Sequence, residues 1–223
     1  MIPLRDTQPS HSKPIVTGLI ILFNVLAFFY EISLEPYTLN HFIMVHGLVP
    51  DRFEPVDLFT SMFLHGGWMH LIGNMWFLWI YGDNVEDILG HGKFLLFYIL
   101  CGVAAGLVHL ITNPYSRVPT VGASGAIAGV MGAYMVKFPH SRILTLVPVF
   151  VFLTTIEVPA VLILAYWFLI QIFSGVGTVA TAANVSRGGV AWFAHVGGFI
   201  AGAVLVNLLG PRDRYRNRGD LRW

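Results

Sequence analysis

The residues Gly122-Ala123-Ser124-Gly125-Ala126-Ile127-Ala128-Gly129 decide how this chain is read. A serine sits between glycines, at the head of an apolar run too hydrophobic for a water-facing loop. Removing side-chain bulk around one hydroxyl lets backbone and partner groups approach it closely. Two readings compete. Small residues at this spacing are what membrane helices use for close packing, and the same geometry presents a nucleophile. Short motifs match by chance, so the eight residues alone favour packing, and the positions of the histidines have to decide.

Composition sets the solvent. Of 223 residues, 56% are hydrophobic and 11% charged, against roughly 25% charged in soluble domains. The mean hydropathy is +0.70. Too few polar side chains remain to cover a water-facing surface, so an integral membrane protein is expected. A net charge of +1 gives no reason to expect nucleic-acid binding, and no basic-aromatic patch suggests it. The single cysteine, Cys101, lies in an apolar run and reads as a buried small hydrophobe. Residues 1–14 are polar, and no small-residue cleavage site follows the first apolar run, which therefore reads as a retained helix. The expected organisation is one membrane domain over 15–209, a short cytoplasmic segment over 1–14 and a basic cytoplasmic tail over 210–223.

A hydrocarbon core of about 30 Å needs spans of roughly 17–25 apolar residues. Six stretches qualify or nearly so: 15–30, 68–82, 94–112, 122–138, 159–173 and 191–209. The expected fold is an all-α bundle of six transmembrane helices. With the N-terminus in the cytoplasm, Arg5, Lys13, Lys93, Lys137, Arg142, Arg212, Arg214, Arg216, Arg218 and Arg222 fall inside, and Arg52, Arg117 and Arg187 outside. That distribution obeys the positive-inside rule, with both termini cytoplasmic. The connection over 31–67 is long enough to carry structure of its own, and its apolar members suggest a piece seated in the membrane interface. The segment 143–157, interrupted by Pro148, reads as an interfacial piece before the fifth span, with a longer, broken fifth span as the alternative. Residues 174–189 read as a mobile outer loop, and the tail as lying along the anionic inner leaflet.

In this topology the second, fourth and sixth spans all enter from the outer face. They carry His70 and Asn74, then Ser124, then His195, at similar depth. Polar groups in hydrocarbon are costly and seek partners, which favours convergence over scatter. His70 and Asn74 are four apart and share a helix face. Gly197, Gly198 and Gly202 give the sixth span a smooth face, so contact with the glycine-rich fourth span would bring hydroxyl and imidazole together. A serine hydroxyl becomes an effective nucleophile when a neutral histidine takes its proton. The oxyanion formed then needs preset donors, and Asn74, His70 and the Ser124 amide are available. No carboxylate lies near His195 in sequence or expected depth, so a two-residue pair fits better than a triad.

Blander roles exist for each. His195 can simply bond a backbone carbonyl, and His65 with His70 can ligate a metal. However, no His-Glu-x-x-His or acidic ligand pair accompanies them, and no metal or cofactor is expected. His109 reads as packing or interfacial, and Glu86 as capping a turn at the cytoplasmic side.

Taken together, His65-Gly66-Gly67-Trp68-Met69-His70-Leu71-Ile72-Gly73-Asn74-Met75, Gly122-Ala123-Ser124-Gly125 and Ala194-His195-Val196-Gly197-Gly198 resemble the motifs of the rhomboid family of intramembrane serine proteases, in family order on the second, fourth and sixth spans. The resemblance implies Ser124 as nucleophile and His195 as its base. It also implies an oxyanion site from Asn74, His70 and the Ser124 amide, with His65, Gly122, Gly125, Gly198 and Gly202 as supports. The implied partners are the lipid bilayer and single-pass transmembrane substrates cut near their outer end. A bacterial inner membrane is the expected location. Two departures stand out. Val56 and Asp57 replace a Trp-Arg pair common in the family's first loop. Some members place an aromatic one turn after the serine, stacked on the histidine; here it is Ala128, so another group has to orient His195. A rhomboid-like client-binding protein without peptidase activity is the alternative, although such relatives usually lose the serine or histidine. A small transporter or channel is a third, but it requires polar residues through the full depth, whereas Ile127, Val130, Met131 and Phe199 form an apolar floor.

Overall fold

The computed structural model describes residues 2–149, 152–181 and 190–210. Its long helices fall on the apolar runs: α1 (Ile15–Ser33), α4 (Trp68–Leu89), α5 (His91–Thr112), α6 (Ser124–Lys137), α7 (Ala160–Thr181) and α8 (Trp192–Leu209). The connection after α1 adds α2 (Pro36–His46), α3 (Asp57–Thr60) and two 3-10 turns, Pro50–Arg52 and Ser61–Phe63. Helices α1, α5, α7 and α8 are long and apolar enough to cross a membrane. The chain is a mostly helical integral membrane protein. The expectation of an all-α fold is corrected: beside eight α-helices, a three-stranded sheet is present among the described residues.

Helices α4 and α6 depart from a simple span for different reasons. Helix α4 is long enough, but its last two turns carry Asp83, Glu86 and Asp87. Helix α6 has 14 residues, about 21 Å of rise, short of the ~30 Å hydrocarbon core. It is apolar all round, and every residue from Ala126 to Tyr134 is buried, as expected of a helix enclosed by others. Glycines allow that enclosure. A Cβ on Gly198 would stand 2.0 Å from the Gly125 carbonyl oxygen, and one on Gly202 would stand 1.9 Å from that of Gly129. Helices α6 and α8 therefore meet backbone to backbone. Packing at that distance maximises dispersion contacts where no hydrophobic effect drives helices together.

The segment expected as an interfacial piece is a hairpin. Strands β2 (Arg142–Val149) and β3 (Phe152–Pro159) pair antiparallel, from Arg142 with Pro159 to Val149 with Phe152. Strand β1 (Ile2–Asp6) pairs antiparallel with β2. Ile143 and Thr145 alternate inward and are fully buried, the period-two pattern of a half-buried strand. The strand β1 is tied to the helices by Trp76 Nε1 donating to the Pro3 carbonyl at 2.6 Å and by Tyr134 Oη donating to Asp6 at 2.5 Å.

At this end of the bundle α1 begins without a side-chain cap of its own. Glu86 supplies it from α4. Its carboxylate accepts the backbone N–H of Val16 and Thr17 at 2.9 and 2.8 Å and the Thr17 hydroxyl at 2.7 Å, with His91 Nδ1 at 2.6 Å. Asp87 accepts from the His11 N–H at 2.9 Å and from the Ser12 hydroxyl. Glu86 is thus structural, as expected, but it caps another helix rather than its own turn.

At the opposite end the 34–67 connection folds against the segment before α6. Leu48 and Thr120 exchange both backbone hydrogen bonds at 2.9 Å, and the Gly122 N–H donates to Ser61 at 2.8 Å. The stretch expected as an outer loop from 174 is helical to Thr181. Its continuation over 182–189 and the basic tail lie outside the described residues.

Candidate active site

Helix α6 starts at Ser124 beneath this folded connection, so the first turn of a short, enclosed helix opens into a cavity of about 860 Å³. Its N–H groups have no acceptors within the helix, and the positive end of its dipole points the same way. The cavity is lined by Ser124, His195, His70, Asn74, Gly122 and Gly125, with Ile127 and Met131 as its apolar base. Six of the nine site residues expected from the sequence are gathered here. His65, Gly198 and Gly202 stand behind the wall: the glycines at the α6–α8 contact, and His65 with its ring against that of His70 at 5.2 Å.

Ser124 and His195 meet. The serine Oγ lies 2.8 Å from His195 Nε2. The other ring nitrogen, Nδ1, lies 2.7 Å from Gln171 Oε1. The Trp167 ring, also on α7, lies 5.8 Å from the imidazole, tilted by 35°. These two α7 side chains stand where Ala128 offers nothing. The sequence reading did not single them out, but a signal existed: Gln171 is a carboxamide among Leu169, Ile170, Ile172 and Phe173, a placement costly in hydrocarbon without a partner.

On the other wall, His70 Nδ1 accepts the Gly66 N–H at 3.3 Å. That acceptor role leaves the proton on Nε2. Asn74 is 8% exposed, and its Nδ2 has no partner among the described residues. Gly122, at φ +124°, fits between these groups and the serine. A Cβ there would stand 2.7 Å from His70 Nε2 and 3.6 Å from Asn74 Nδ2, and that backbone conformation itself excludes most side chains. His109 lines the same cavity and meets Thr120 Oγ1 at 2.8 Å through Nε2, so it holds the segment leading to Ser124.

His65 lies in the turn before α4, 2% exposed, with its backbone N–H shared by both Glu31 carboxylate oxygens at 3.2 and 3.3 Å. Burial, and secondarily the neighbouring His70, lower its pKa to about 4, so the ring is neutral at pH 7.

Known proteins are similar to this chain. The Rhomboid domain family matches residues 52–212. The chain is 31% identical over 204 residues to rhomboid protease GluP of Bacillus subtilis (strain 168), across 90% of this chain and 36% of that protein. It is 30% identical over 192 residues to Rhomboid-like protein 11, chloroplastic, of Arabidopsis thaliana, across 80% and 62%. With Rhomboid protein 1, mitochondrial, of Saccharomyces cerevisiae it shares 34% over 96 residues, across 41% and 28%. The chain thus matches under two thirds of the length of each of these relatives. A cavity inside apolar helices, glycine-faced contacts beside it and a family match over most of the chain lead to one conclusion: this protein belongs to the rhomboid family, which includes intramembrane proteases.

Proposed function

We propose that the protein is an intramembrane serine endopeptidase that uses Ser124 and His195 as a catalytic dyad. The observation carrying this reading is the 2.8 Å contact between Ser124 Oγ and His195 Nε2, facing Asn74 Nδ2, a buried donor without a partner among the described residues. As Oγ attacks a scissile carbonyl, Nε2 takes its proton. The carbonyl oxygen becomes an oxyanion, met by Asn74 Nδ2–H, His70 Nε2–H and the Ser124 N–H at the positive end of α6. The imidazolium returns its proton to the departing amine, leaving an acyl-serine. Water then attacks the ester, gives a proton to Nε2, and the proton returns to Oγ as the acid leaves.

The substrates are single-pass transmembrane proteins, entering from the bilayer. A helical peptide bond is hydrogen-bonded and shielded, so the substrate must unwind locally, which glycine and proline make easier. In this reading α1 and α4–α8 span the membrane, both termini are cytoplasmic, and the cavity opens toward the outer face of a bacterial inner membrane. Residues 1–14, 15–209 and 210–223 form the cytoplasmic segment, the membrane domain and the basic tail. Substrate enters between α4 and α7, so a crosslink joining those helices blocks turnover.

The test is labelling by a serine-reactive fluorophosphonate together with cleavage of a transmembrane substrate in vesicles. Wild type labels and cleaves; Ser124→Ala does neither. Equal labelling of both rejects the proposal, and substrate capture without cleavage favours a client-binding role.

A further inference from the structure

We infer that Gln171 is the positioning residue of this site, setting the tautomer of His195 so that Nε2 presents a lone pair to Ser124. The inference rests on the proposed dyad for its kinetic consequences, but not for its geometry.

Gln171 is 4% exposed and makes two polar contacts among the described residues. Its Oε1 lies 2.7 Å from His195 Nδ1, and its Nε2 donates to the Trp167 carbonyl one turn back at 3.3 Å. A backbone carbonyl can only accept, so this second contact determines which end of the amide faces the histidine. The end facing His195 is then the oxygen, which also only accepts. Nδ1 must therefore carry the proton, and Nε2 is left unprotonated toward the serine. The reversed amide would donate to Nδ1, protonate Nε2 and leave Ser124 without a base.

Trp167 completes the support. Its ring lies against the imidazole and 6.1 Å from Phe199, at 29°, and Phe168 stacks on Phe199 at 4.6 Å. The imidazole is thus held at one edge by an amide, with a tilted indole 5.8 Å away, both from α7. A carboxamide does this work without a charge. A carboxylate in the same apolar setting would bear a desolvation cost that the amide avoids. The reading also explains how a chain with Ala128 one turn after its serine orients the histidine. The support comes from the adjoining helix.

The experiment uses two variants of the full chain in vesicles. Gln171→Met keeps length and volume but offers no acceptor; Gln171→Glu restores one. For Gln171→Met, kcat falls about 10²-fold or more with KM within twofold, as expected when a general base is left in mixed tautomers. The rate of fluorophosphonate labelling falls in parallel, and the thermal midpoint stays within a few degrees. Gln171→Glu retains kcat within about tenfold. Imidazole ¹⁵N spectra of His195 show protonated Nδ1 in wild type and loss of that signature in Gln171→Met, whether or not the protein cleaves anything. Persistence of protonated Nδ1 in Gln171→Met, or equal loss of kcat in both variants, overturns the inference. A wild type that neither labels nor cleaves rejects the dyad while leaving the tautomer assignment to the spectra.

Discussion

The two ends of the bundle treat buried polar groups in opposite ways. At the end where β1 lies, the Glu86 carboxylate is saturated by the first N–H groups of α1, the Thr17 hydroxyl and His91. At the Ser124 end, Asn74 Nδ2 is buried with no partner among the described residues, and Asn74 lines a cavity of about 860 Å³. Among the described residues the other unpartnered buried side-chain atoms, Asn24 Oδ1, Asn84 Oδ1, Tyr98 Oη and both ring nitrogens of His65, belong to residues lining neither described cavity. Satisfied polar groups hold elements together, and a donor left open toward a cavity is, in the proposed mechanism, one that meets the oxyanion. A buried unsatisfied group costs about 1–3 kcal/mol, which a fold keeps where something else repays it.

Mutations at the two ends test that contrast. The largest effect belongs to Ser124→Ala and His195→Ala, each lowering substrate turnover about 10⁴-fold or more, measured by cleavage in vesicles. Residual turnover within tenfold of wild type would place the chemistry elsewhere. Glu86→Ala acts at the other end and in another currency. It strands three donors of α1 and lowers unfolding free energy by about 3–5 kcal/mol, read from denaturant titration in micelles. Turnover per folded molecule stays the same. Asn74→Ala shows the reverse split: kcat/KM falls about 10²–10³-fold, or about 2.7–4 kcal/mol of transition-state stabilisation, while stability is unchanged or rises because an unsatisfied donor is gone. If Asn74→Ala unfolds the protein and Glu86→Ala abolishes turnover, the contrast between the two ends is false.

The smallest effect is a pH dependence. The pKa of His65 is lowered to about 4 in the folded chain, by burial first and by His70 second, from about 6.5 when unfolded. The unfolded chain binds the proton first, so stability from this ring is complete above about pH 6.5 and is lost as pH falls toward 4. The loss is about 3 kcal/mol. Glu31 and His70 also face this turn, so the comparison is between wild type and His65→Asn. The variant's denaturation midpoint should fall less between pH 6.5 and 4, and equal slopes would remove His65 from the account.

Legibility in the sequence followed locality. Ser124, His195, His70 and Asn74 stood out because each interrupts an apolar run, where a polar side chain needs a partner. Gly125, Gly198 and Gly202 marked the faces that meet. The β2–β3 hairpin was hidden because Pro148 and its apolar neighbours look like a broken span, and because strand β1, which pairs with it from residues 2–6, lies some 140 positions earlier. Glu86 read as a local cap because its true partners, Val16 and Thr17, are about 70 residues upstream. Gln171 was visible as a polar residue out of place, but its partner was not.

By itself, the order of residues determined the solvent, the helical runs, the polar positions within them and the motifs that mark the family, because these depend on composition and short periods. Only the tertiary structure decided that α6 stops short within the bundle, that a sheet caps one end, and that α7 is turned so that Gln171 meets His195. Those outcomes depend on the rotation and depth of helices against one another. Rotation and depth are set by the close contact of whole faces, such as Gly129 on Gly202, and not by any stretch of chain read alone.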